Sequence, residues 1–104
     1  MTELTLPRLA GSRSAARSLV RQADGPLEGG IVIVDCRELR SAPPSFADEL
    51  VKAILVEGCA ASLTLRDASE EFIRYVRESA ASRKVPAGKV DVVTALGQSG
   101  IAAS

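Results

Sequence analysis

Four consecutive β-branched residues, Ile31-Val32-Ile33-Val34, have no polar residue alternating with them. A strand with one wet face alternates apolar and polar side chains, so an unbroken run predicts a strand covered on both faces, as in a parallel sheet flanked by helices. Parallel strands must be joined by crossovers, which are usually helical. The segments on either side of the run have the period for that. Ala15, Ala16, Leu19, Val20 and Ala23 form an apolar stripe at helical spacing, with Ser12 or Ser14 as cap and Asp24-Gly25-Pro26 as stop. Phe46, Leu50, Val51, Ile54 and Leu55 form a second stripe that ends at Gly58, with Asp48, Glu49 and Lys52 expected on its wet side. Phe72, Ile73, Val76 and Ala80 form a third, with Ser69 as cap and Glu70 and Glu71 where the helix dipole favours acids.

Three weaker strand signals surround these helices. Leu4 and Leu6 alternate with polar neighbours before Pro7, which marks an edge strand or a strand end. Leu63 and Leu65 alternate with Thr64 and Arg66, and residues 89–96 read as a last strand before a frayed tail at 97–104. The expected fold is therefore an α/β sandwich: a small mixed or mostly parallel sheet of about four strands with three helices and right-handed crossovers. Residues 1–88 are expected to form the domain, and 89–104 the last strand and a flexible C-terminal tail.

Composition excludes several functions. The chain of 104 residues has no histidine, which removes the commonest general base and transition-metal ligand. Lys plus Arg equals Asp plus Glu at 13 each, so no overall charge draws the chain to nucleic acid or anionic membrane. Aromatic residues make up 3 %, too few for a base-stacking platform. Cys36 and Cys59 form no CxxC and lie beside apolar runs, reading as reduced core or near-core thiols. Gly25, Gly29 and Gly30 match neither a dinucleotide fingerprint nor a P-loop. The first ten residues do not read as a signal peptide, and no stretch approaches the roughly 20 apolar residues of a membrane span. A cytoplasmic protein without metal or cofactor is expected.

The stretch SAPPSFADEL, residues 41–50, shapes a helix entrance. Proline biases the residue before it away from the helical region, so the loop arrives extended. Ser45 with Asp48 three residues on has the form of a capping box, in which serine takes a first-turn amide and the carboxylate reaches back. The same loop leaves the carboxyl end of the most apolar strand at Asp35, where open α/β sheets meet ligands and partners. A phosphoryl group on a serine there would face free amides and the positive end of the helix dipole.

The segment VIVDCRELRSAPPSFADELVKAIL resembles the STAS-like domain family, whose signature is a strand V-x-x-D-x-x-x-V followed by S-x-S-F-A-D-E-[LF]. Asp35 matches the strand aspartate, Leu39 the apolar residue after it, and Ser45-Phe46-Ala47-Asp48-Glu49-Leu50 the helix motif. Ser12-Arg13-Ser14-Ala15-Ala16 is similar to the S-R-x-x-A that opens the family's first helix. The resemblance covers residues 3–84. It implies the fold of anti-sigma factor antagonists and a regulatory, non-catalytic role: binding a GHKL-type ATPase or kinase, or a transcription regulator, through the second-helix entrance. In antagonist domains a D-S-[ST]-G motif there is phosphorylated. Here Pro43, Pro44, Ser45 and Phe46 fall on that motif, so the usual acceptor is missing and Ser45 or Ser41 is left as the acceptor. The resemblance thus implies partner contacts at Ser45, Phe46, Asp48 and Glu49, with Asp35 ordering the loop.

Two other readings compete. Arg13, Arg17 and Arg21 recur at i, i+4, i+8, a basic line that fits nucleic acid, an anion or an acidic partner. A crevice near Asp35 and Ser45 fits a nucleotide or metabolite. Catalysis has less behind it, because Asp48 and Glu49 are adjacent on a helix and point about 100° apart. The expectation is a protein-protein interaction module that binds a protein partner and no membrane, with homo-oligomer formation left open.

Overall fold

The computed structural model describes residues 2–23 and 26–93, arranged as β1 (Thr2–Thr5), α1 (Arg13–Arg21), β2 (Ile31–Asp35), α2 (Pro44–Val51), a π-helical continuation (Lys52–Glu57), β3 (Ser62–Arg66), α3 (Glu70–Ser82), a 3-10 turn (Ala87–Lys89) and β4 (Val90–Val93). The fold is α/β with a four-stranded parallel sheet and three helices, as the sequence predicts. The expected stop at Asp24-Gly25, the end of the last strand beyond Val93 and the tail at 97–104 lie outside the described residues. Among the described residues, no helix is long and apolar enough to cross a membrane.

The strands stand in sequence order, β1-β2-β3-β4, all parallel. Right-handed crossovers that step one way along a sheet place every helix on the same face. In keeping with this, α2 packs against both α1 and α3. Leu4, Val32, Val34, Leu63, Leu65 and Val90 turn toward the helices and are buried. The opposite parity gives Glu3, Ile33, Thr64 and Asp91 in one register row, and Thr5, Asp35, Arg66 and Val93 in the next. This corrects the expectation that β2 is covered on both faces. Ile31 is 45 % exposed and Ile33 half-buried, because the described helices lie on the other side.

Ser12 and Ser69 cap α1 and α3, accepting from the amides of Ala15 and Phe72 at 3.2 Å each. Each satisfies a first-turn amide that has no partner within its helix. Under α2 the core centres on Phe46, Leu50 and Ile54, all fully buried, with the rings of Phe46 and Phe72 6.4 Å apart. Each such side chain contributes about 1.5–3 kcal/mol by leaving water. The π turn closes where the Gly58 amide reaches the Ala53 carbonyl at 2.9 Å, five residues back. Gly58 is required there: a Cβ would lie 2.8 Å from the carbonyl oxygens of both Ala53 and Ile54.

Candidate docking surface

The entrance to α2 is built differently from the capping box that its sequence suggests. Pro43 is the N-cap, with extended backbone (φ −77°, ψ 163°) and no side chain capping the helix, and Pro44 takes the first helical position. Proline is preorganised for that position and loses nothing there by lacking an amide hydrogen. The helix therefore starts before Ser45, and the serine falls inside the first turn, half-buried and without a capping bond. Its neighbours Ser41 and Pro44 are exposed.

Asp48 is thereby released from capping and does other work. Its Oδ1 accepts from Ser79 Oγ at 2.6 Å and Arg83 Nε at 2.9 Å, and its Oδ2 from Arg83 Nη2 at 2.7 Å and Arg13 Nη1 at 2.8 Å. The Arg83 guanidinium, ahead of Ser79 and Arg13, holds the Asp48 carboxyl well below the usual carboxylate range, against a smaller opposing effect of burial. Glu49, expected on the wet side, is buried. It accepts from Nε and Nη2 of Arg17 at 3.3 Å each and from Arg13 at 3.4 Å. The two acids thus hold α2 between α1 and α3. Neither is a free contact group, and Phe46 is core with no exposed surface. Arg13 and Arg17 spend their charge on these acids, which leaves Arg21 alone of the arginine line without an ion pair among the described residues.

Asp35 is 1 % exposed at the carboxyl end of β2. Burial pushes its pKa up, but the Arg37 amide and the Arg66 guanidinium outweigh that and hold it below its ordinary value. Oδ1 accepts from the Arg37 amide at 3.0 Å, and Oδ2 from the guanidiniums of Arg37 and Arg66 at 3.1 Å each. Arg66 also pairs with Glu3 of β1. Asp35 thereby fixes the first residues of the loop toward α2. The cleft between that loop and α3, lined by Leu39, Ser41, Ser69 and Phe72 among others, measures only about 20 Å³. That space suits a water molecule and not a nucleotide.

Sequence reasoning missed Ser79 and Arg83. Ser79 lies in the last turn of α3 and Arg83 is the C-cap that follows it, four residues on, and Ser79 falls one position before Ala80 in the core stripe. A helical serine can also bond back to a carbonyl of its own helix, so no local pattern in the sequence points to Asp48 as its acceptor. Compared with protein-family models, with curated proteins and with solved structures, the chain gives no match.

Proposed function

We propose that the chain is a non-enzymatic, STAS-like regulatory module that binds a protein partner, of the GHKL-type ATPase or kinase class or a transcription regulator, at the entrance of α2. The observation that carries this reading is the position of Ser45. Its hydroxyl caps nothing, so the structural explanation for a serine there falls away, while Asp48 and Glu49 hold the helix beneath it in place. A preorganised contact loses less entropy on binding than a mobile one. The contact surface in this reading is Ser45 with its exposed neighbours Ser41 and Pro44, and Asp48, Glu49 and Phe46 serve as its support. The same position suits a phosphoryl switch, since a dianion on Ser45 would lie in the first turn of α2.

The test is a pull-down from the native host lysate with wild-type chain and a Ser45→Glu variant, with and without ATP, together with intact mass of the recovered bait. The expected result is an ATPase, kinase or DNA-binding regulator retained by wild type and lost by the variant. Equal retention by both, or by neither, contradicts the reading.

A further inference from the structure

At the carboxyl ends of β1 and β2 the chain gathers three arginines that the α2 entrance does not use. The Arg40 amide donates to the Arg8 carbonyl at 2.8 Å, and the Ala10 amide to the Ser41 carbonyl at 3.1 Å. Leu9 and Ser41 therefore pair as a short parallel bridge, and that register sets Arg8 beside Arg40. Together with Arg37 and Glu38 they line an open cleft of about 310 Å³. Among the described residues neither Arg8 nor Arg40 forms an ion pair. Arg37 gives one to Asp35 at 3.1 Å while its side chain stays 69 % exposed. Holding like charges side by side is unfavourable, and among the described residues Glu38 is the one acid that lines the same cleft, without forming an ion pair to either arginine. Leu9, which follows Arg8 in the chain and lies outside the lining of the cleft, has 73 % of its surface exposed.

We infer that this rim binds an acidic segment of a partner protein that also carries an apolar side chain, with carboxylates on Arg8, Arg37 and Arg40 and the apolar group on Leu9. Charge complementarity supports the carboxylates, because guanidinium forks match them with two parallel bonds. Leu9 supports a protein occupant: a free phosphate would answer the arginines and leave the leucine wet. Arginine is also enriched in protein interfaces, whereas single-stranded nucleic acid calls for aromatic platforms that this cleft lacks. The inference rests on the reading of the chain as a docking module, but on residues other than Ser45.

The experiment is titration of the full chain with a fluorescein-labelled peptide of alternating Glu and Leu, followed by anisotropy and by amide chemical shifts. Shifts are expected at Arg8, Leu9, Arg37 and Arg40, with affinity falling as salt rises. Arg8→Glu with Arg40→Glu is expected to weaken binding about tenfold or more, and Leu9→Ser about threefold. A milder pair, Arg8→Gln with Arg40→Gln, keeps the test valid if charge reversal disturbs folding. Shifts elsewhere, unchanged affinity in both arginine pairs, or equal binding of polyglutamate, inorganic phosphate or an oligonucleotide with no effect of Leu9→Ser would overturn the inference. If the rim fails while Ser45→Glu still loses its partner, only this inference falls. If the rim binds while Ser45→Glu keeps every partner, the α2-entrance reading falls and the rim stands.

Discussion

Asp48 and Arg83, 35 positions apart in sequence, are joined by two hydrogen bonds of 2.9 and 2.7 Å, one to each carboxylate oxygen, that tie α2 to the C-cap of α3. A third group, Arg13 of α1, meets the same carboxylate. The three-helix layer is thus pinned at one point beneath the proposed docking surface.

Acid is expected to loosen that pin. The native Asp48 carboxyl is depressed by Arg83, whereas in the unfolded chain it titrates at about 3.9. The ionised form is the one the fold prefers, so its contribution is fully present above the unfolded pKa and is lost as pH falls through the native one. Urea midpoints are expected to drop below about pH 4, and Asp48→Asn to flatten part of that slope. Asp35, also depressed, accounts for a further part. At neutral pH Asp48→Ala is expected to cost about 2–3 kcal/mol, because Ser79 and Arg83 lose their acceptor. An unchanged acid slope in Asp48→Asn would contradict this.

The three serines near helix starts are expected to behave unequally. Ser12→Ala and Ser69→Ala remove true caps and cost about 1 kcal/mol each. Ser45→Ala removes none and is expected to stay within about 0.5 kcal/mol of wild type. Urea denaturation of the three variants decides it, and a Ser45→Ala loss equal to that of Ser69→Ala would restore the capping box.

These contrasts mark how far the sequence could be read. Apolar period gave the helices and strands, because the stripes at Phe46–Leu50–Ile54 and Phe72–Val76–Ala80 are the surfaces that end up buried. The β-branched run at 31–34 misled on one point. β-branched side chains also suit an exposed strand surface, so Ile31 and Ile33 did not imply a second helical layer. The entrance of α2 was misread because Pro44 and Ser45 both signal a helix start, and proline at the first position moved the start ahead of the serine. Glu49 looked solvated because its partners Arg13 and Arg17 lie more than thirty residues away, a pairing that no local pattern encodes.

Gly58→Ala is expected to destabilise by about 1–3 kcal/mol. The added methyl would meet two backbone carbonyls and the Leu27 side chain inside 3 Å, and the carbonyls have no freedom to move aside. A thermal melt checks this, and an unchanged midpoint would mean the π turn relaxes without cost.

The two cysteines, both read from sequence as core or near-core, are expected to differ in reactivity. Cys36 is buried, and burial, with Asp35 and Asp67 nearby, pushes its thiol up to about 12. Cys59 is exposed, at a left-handed backbone position (φ 54°) just after Gly58. Ellman's reagent at pH 8 is expected to modify Cys59 alone in the native chain and both thiols in urea. Two fast native thiols would contradict the burial of Cys36.

Hydrogen exchange on the free chain and on its complex with the partner retained from lysate tests docking at the α2 entrance most directly. Slowed exchange on binding is expected across residues 41–47, with β3 unchanged. Protection confined to the open face of the sheet, or absent from residues 41–47, would contradict it.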